Sequence, residues 1–171
     1  MGLLACMGNK SKRVQRSACG GLAELAIQLQ KTNNRLSDFV QPIVTTFVKG
    51  LELYRTLNFH QLVDVIASVC DLWAVDKERN IVVNPKLMDA LIPPLMKRWA
   101  DMEEASTFIF PIMECLTRFT VHMGPVSHFQ QTYLSSMFQQ ALQLGYRLKN
   151  EQAEFVRFFV CFFFFLPYSN I

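Results

Sequence analysis

The stretch LIPPLMKRW, residues 91–99, sets two consecutive prolines inside a run otherwise written as an amphipathic helix. Proline lacks the N–H of the i→i−4 bond and its ring crowds the preceding turn, so the pair needs a reason. Laying the chain over itself supplies one. FVQPIVTTF (39–47) matches position by position: Phe39 on Leu91, Val40 on Ile92, Pro42 on Pro94, Ile43 on Leu95 and Phe47 on Trp99. FQQTYLSSM (129–137) fits the same frame with Thr132 in the proline's place, the two offsets being 52 and 38 residues.

Different helices lie between these three copies. They carry Cys19, Cys70 and Cys115 in comparable places, at offsets of 51 and 45 residues. Apolar periodicity is helical nearly everywhere and predicts helices at about 11–30, 37–54, 59–75, 85–102, 106–123, 126–148 and 151–165. Breaks fall at Lys31–Leu36, at Asp76–Asn84, at Met102–Ser106 and at Gly124-Pro125, with Asn84 as an N-cap before Pro85 at the first helical position. Two helix types alternating with a period of about 40–50 residues are the mark of HEAT-like repeats, in which each pair buries its apolar faces only by stacking on its neighbours. The fold class is all-α, a HEAT-repeat α-solenoid of about three to four antiparallel helix pairs. Proline then reads as a bend that lets the outer helix curve over its partner.

The faces of helix 59–75 fit an inner position. At 100° per residue, Leu62, Ile66, Val69, Cys70 and Trp73 form one broad stripe, widened by Val63, Val65 and Leu72. Only Asp64, Ser68 and Asp71 remain together on the opposite side. A helix with one narrow polar strip is packed on three sides, and the strip is the concave surface of the array.

Composition narrows the function. Half of the 171 residues are apolar, enough for a substantial core. Five cysteines (Cys6, Cys19, Cys70, Cys115, Cys161), odd in number and without a CxxC pair, argue against a disulfide framework or a zinc site and read as reduced, buried side chains. The net charge of +3 divides unevenly: residues 1–37 hold six basic side chains against one acid, 38–115 seven against eleven, and 116–171 four against two. An acidic middle speaks against nucleic acid and for a basic partner. The cluster Lys10–Arg16 reads as a solvated first turn. Gly2 opens an acylation-like signal, but Cys6 stands where Ser or Thr is required, and Asn9-Lys10-Ser11 is a glycosylation sequon without a secretory leader. The apolar run 158–166 is nine residues, about half a bilayer span. His60, His122 and His128 show no HxxxH or HExxH spacing, no glycine-rich phosphate loop occurs, and Gly20-Gly21 sits inside a helix as a close-packing point, so neither enzyme chemistry nor a cofactor is expected. Trp73 and Trp99 read as core.

Several stretches carry a resemblance. KRVQRSAC (12–19), VDVIASVCD (63–71), LIPPLMKRW (91–99) and FIFPIMECL (108–116) resemble, in order and spacing, consecutive central repeats of the transportin (karyopherin-beta2) family of importin-beta-type nuclear transport receptors. The likeness runs from about Asn9 to Leu142, and PPLxxxW with FPxxECL is its most specific part. It implies a right-handed HEAT array whose inner helices hold protein cargo through a basic proline-tyrosine nuclear localisation signal, in the cytoplasm and nucleus. Acidic and apolar side chains on the concave side make the grip. Asp64, Asp71 and Glu114 occupy family-acidic positions, with Ser68 between the aspartates, and these four are the candidate cargo-binding residues. The spacing of seven residues puts Asp64 and Asp71 on one helical face, suited to a basic ligand or simply to water.

Departures from the family pattern are equally definite. Where the family carries a run of glutamates near the end of the first inner helix, this chain reads Leu25-Ala26-Ile27-Gln28, with Glu24 the nearest acid. Family members are several times longer, and their repeats for the Ran GTPase have no counterpart here. The expected organisation is an N-terminal extension at 1–8, repeats over 9–150 and a Phe-rich tail at 151–171. The tail FVRFFVCFFFFLPYSNI (155–171) matches no repeat and reads as either a last inner helix or a translated pyrimidine-rich intron tract. A HEAT scaffold for another client, such as a phosphatase subunit, and a truncated fragment without independent function are the alternatives.

Overall fold

The computed structural model describes residues 2–32, 36–74, 85–102, 109–123 and 130–147, and among these every regular element is helical. The helices are α1 (Gly2–Met7), α2 (Lys12–Thr32), α3 (Val40–Leu53), α4 (Thr56–Ala74), α5 (Pro85–Ala100), α6 (Ile109–Met123) and α7 (Ser135–Arg147). A 3₁₀ turn, Ser37–Phe39, leads into α3, and a π-helical turn, Gln130–Leu134, leads into α7. Six of the seven expected helices are present among the described residues, with ends moved by a few residues. The helix expected at 151–165, the N-cap at Asn84, the histidine at 128 and Cys161 lie outside the described residues.

Two rows run side by side. Helices α2, α4 and α6 contact one another in sequence order as the inner row, and α1, α3 and α5 do so as the outer row. Each outer helix contacts the inner helix that follows it, α1 with α2, α3 with α4 and α5 with α6. Within the segment 1–8, expected as an extension, Gly2–Met7 is helical and packs on α2 and α3, with Met7 buried. Leading into and along α7, Tyr133, Met137, Ala141 and Leu144, spaced as one helical stripe, are buried. Gln140, Gln143 and Leu144 of α7 border a small recess with Trp99 and Ala100 of α5.

Each helix follows from its residues. In α3, Ile43, Val44, Phe47 and Leu51 are all buried on one face, and α3 ends where Tyr54 turns extended while its N–H still donates to the Gly50 carbonyl at 2.8 Å. Ahead of α2, the Asn9 side-chain oxygen accepts the Ser11 N–H at 2.8 Å, and Gln15 reaches back to donate to the Asn9 carbonyl at 2.7 Å. The sequon is thus a turn that starts a helix. In α4, Phe59, Leu62, Val63, Val65, Ile66, Val69, Cys70, Leu72 and Trp73 are buried, while Asp64, Ser68 and Asp71 of the expected narrow strip are not, nor are His60 and Gln61. Each such large apolar side chain contributes about 1.5–3 kcal/mol when fully buried.

The prolines behave differently from one another. In α3 and α6, Pro42 and Pro111 are each the third helical residue, where the backbone N–H has no intrahelical acceptor and nothing is lost. Pro93 and Pro94 lie inside α5, which continues through them to Ala100, so only α5 forgoes two backbone bonds. The shared motif is therefore a packing frame rather than a shared bend. Ile43 and Leu95, like Phe47 and Trp99, are buried at matching places, whereas Phe39 is 42% exposed and its match Leu91 is buried.

Side-chain bonds tie each repeat to the next. The Tyr54 hydroxyl donates to the Met7 carbonyl, and the Asn58 amide donates to the Lys12 carbonyl at 3.1 Å and to Gln15 Oε1 at 2.7 Å. Arg98 donates to the Tyr54 carbonyl at 3.2 Å and lies over the Phe59 ring, 4.4 Å from its centroid. Tyr133 donates to the Asp89 carboxylate.

Cysteines and glycines refine the expectations. Cys19, Cys70 and Cys115 are buried free thiols, and burial pushes Cys19 up to about 11 and the other two upward as well. Cys6 is exposed, a correction, since it sits on α1 with its side chain turned to water. Of the glycine pair, Gly21 lets Leu3 approach to 3.2 Å of where a β-carbon would be, but Gly20 has open space there.

Candidate functional site

The seam between α4 and α6 gathers the candidate residues. Asp64, Ser68 and Asp71 descend α4 one turn apart, and Glu114 and Arg118 stand on the facing side of α6. Asp64, Ser68, Glu114 and Arg118 border a recess of about 140 Å³ whose apolar walls are Val63, Ala67, Pro111 and Cys115. Small side chains at residues 67 and 68 keep this recess open.

Arg118 dominates the electrostatics. One of its terminal nitrogens donates to Asp71 across the two helices, and the other donates to Glu114 Oε1, one turn back on α6, at 3.2 Å. Burial disfavours the charged guanidinium, but Asp71 and Glu114 outweigh it and hold Arg118 above its ordinary value. Burial also raises the Asp64 carboxyl, with Glu114 adding to the shift while His60 and Arg118 oppose it. His60 lies 3.8 Å from Asp64, and the Ser68 hydroxyl donates to the Asp64 carbonyl at 3.0 Å.

Three of the four candidates, Asp64, Ser68 and Glu114, therefore share one recess, and Asp71 joins it through Arg118. The sequence reading missed Arg118. Its signal was present: Glu114 and Arg118 are spaced i, i+4 on the same inner helix, which brings both to one face. With three carboxylates against one guanidinium, the seam keeps an excess of negative charge.

The acid does not extend along the whole array. An offset of 51 residues places Arg13, Ser17 and Gly20 of α2, all exposed, where α4 has Asp64, Ser68 and Asp71. Further along α2, Gln28 donates to Glu24 at 2.6 Å and accepts from Lys31 at 3.2 Å, while Leu25 and Ile27 stand 38% and 42% exposed. Among the described residues no group of His, Cys, Asp or Glu is placed to hold a metal ion, and no helix is long and apolar enough to cross a membrane.

Stacked antiparallel helix pairs with one charged strip on their inner row define a segment of an all-α HEAT-repeat solenoid. Comparison with known proteins gives the kind. Transportin-1 of Oryza sativa subsp. japonica is 28% identical over 145 residues, 84% of this chain and 15% of that protein. Transportin of Dictyostelium discoideum is 26% identical over 142 residues, 83% of this chain and 14% of its own length. Transportin-1 of Homo sapiens is 29% identical over 115 residues, 67% of this chain and 12% of that protein. The chain is thus similar to a transportin segment, as its PPLxxxW and FPxxECL motifs implied, and it spans about 12–15% of the length of these relatives. No family model matches it.

Proposed function

We propose that the chain is a segment of a nuclear import receptor and that the α4–α6 seam binds a basic peptide of the proline-tyrosine localisation type. It acts by binding rather than by catalysis, on protein cargo that it accompanies between cytoplasm and nucleus. The observation that carries this reading is the recess bordered by Asp64, Ser68 and Glu114: carboxylates on adjacent inner helices, in water's reach, over an apolar floor. Such a surface favours an extended ligand with cationic side chains and an apolar stem. Ran, a partner of the family, has no binding repeats in this segment, and it is not part of the proposal.

The test is fluorescence anisotropy with a labelled basic peptide ending in proline-tyrosine. A dissociation constant of roughly 10–1000 μM is expected, equivalent to about −7 to −4 kcal/mol. Asp64→Lys is the informative variant, because Asp64 is exposed and its reversal leaves the Arg118 pair intact. It should loosen the peptide at least about tenfold without loss of helicity, since a like charge replaces an attraction. Equal binding by wild type and Asp64→Lys would reduce the strip to a solvated face.

A further inference from the structure

A cationic ligand that reaches the far end of the strip meets a cation already there. The Arg118 guanidinium bridges Asp71 of α4 and Glu114 of α6 with its two terminal nitrogens. The Asp71 side chain is 20% exposed, that of Asp64 55% and that of Glu114 68%, so solvent and ligand reach Asp64 and Glu114 readily and Asp71 least. Arg118 Nε is buried without an acceptor. Among the described residues the guanidinium is thus held at its tips, by carboxylates that a ligand's own guanidinium or ammonium would seek.

We propose that Arg118 is an internal occupant of the strip, filling at Asp71 the place of a ligand cation while it also bonds the exposed Glu114, so that a basic peptide is received at Asp64 and Glu114 and gains Asp71 only by displacing Arg118. This rests on the reading of the seam as a basic-peptide surface. A planar fork is well matched to a pair of carboxylates, and a ligand arginine offers the same fork, so the exchange replaces like with like. Two consequences follow. A peptide with a single basic residue binds as well as Asp64 and the recess allow, and further basic residues add affinity only after Arg118 has moved. Neutral ligands feel no competition.

The experiment uses the whole chain with two labelled peptides ending in proline-tyrosine, one basic and one in which citrulline replaces arginine. Arg118→Gln should tighten the basic peptide about three- to tenfold, in the range of a partly exposed charge pair, and leave the citrulline peptide unchanged. Arg118→Lys keeps the charge and should stay within about twofold of wild type. Since Arg118→Gln removes the opposite charge from a half-buried carboxylate, the neutral pair Asp71→Asn with Arg118→Gln is made as well, and thermal melts establish that each variant is folded. The pair should bind the basic peptide at least as tightly as wild type, because in wild type the gain from Asp71 is offset by the loss of its bond to Arg118. Overturning results are a folded Arg118→Gln chain that binds no tighter than wild type, or a neutral pair weaker by more than about fivefold, which would mean that Asp71 grips the ligand directly. Absence of binding by wild type and by Arg118→Gln alike would remove this proposal together with the peptide-binding reading. Binding by wild type without the gain would remove this proposal alone.

Discussion

Gly50→Ala should destabilise the protein although it adds a better helix former to the interior of α3. Gly50 faces Leu62 of α4, and a β-carbon on it would lie 2.8 Å from one Leu62 methyl and 3.2 Å from the other. Carbon atoms settle at about 3.5–4.0 Å, so both contacts are repulsive. Leu62 is 0% exposed, so its methyls are enclosed by neighbouring side chains. Two effects compete: alanine gains about 1 kcal/mol of helix propensity over glycine, and overpacking a filled site costs about 1–3 kcal/mol. We expect overpacking to win by about 1 kcal/mol, a fall in Tm of about 2–4 °C for a chain of this size. In a Leu62→Ala background, itself about 2–5 kcal/mol less stable, the clash is gone and Gly50→Ala should stabilise by about 1 kcal/mol. The sign reversal corresponds to a coupling of about 2 kcal/mol between contacting residues. Urea titrations of the four chains, followed by far-UV circular dichroism, measure it. A Gly50→Ala chain that gains as much with Leu62 present as without it would refute the close approach of α3 to α4.

Ile66→Asp should abolish the cooperative melt, because Ile66 is 1% exposed between the rows and an unpaired charge there costs several kcal/mol, on the order of 4 or more; Ile66→Val should lose only about 1 kcal/mol. Burial, with the hydrogen bond to Asp89 and its charge, raises the Tyr133 phenol from 10.0 to about 12. A folded-state value above the unfolded one means that this group's stabilisation is complete below pH 10.0 and is lost as the pH rises towards about 12. Tyr133→Phe should flatten the alkaline fall in melting temperature over that window, and superimposable curves for the two chains would contradict the pairing. Arg98→Ala removes both the cation on the Phe59 ring and the donor to the Tyr54 carbonyl, and should cost about 1–3 kcal/mol in urea; Arg98→Lys should recover less than half of it, since it lacks the planar fork.

Much of this architecture was legible from apolar spacing. The stripe of α4 was readable because one narrow row of polar residues stands against a wide apolar arc, a pattern that only an inner, three-sided helix produces. The pairing of Ile43 with Leu95 and of Phe47 with Trp99 was likewise carried by repeat alignment. Less was legible at the first turns. Pro42 aligned with Pro94, but the alignment could not say that one begins a helix and the other interrupts it, since that depends on where α3 starts. The short α1 has only six residues, too few for a periodic signal, and its order comes from packing on α2 and α3. At the candidate site the acids were evident as residue types. Their neutraliser was not, because the contact of Arg118 with Asp71 is made across two helices 47 residues apart.

That separation has a kinetic meaning. The bonds joining Tyr54 to Met7, Asn58 to Lys12 and Gln15, Arg98 to Tyr54, Arg118 to Asp71 and Tyr133 to Asp89 span 47, 46, 43, 44, 47 and 44 residues. Each closes a loop of about one repeat, however far along the array it lies. Where partners lie in neighbouring repeats, the entropy of bringing them together is set by the repeat and does not grow with total length. Adding a helix pair therefore lengthens the molecule without slowing the conformational search of any pair already there. The same locality lets a change in one module be absorbed by its two neighbours, so that duplication and divergence of modules proceed without redesign of the remainder.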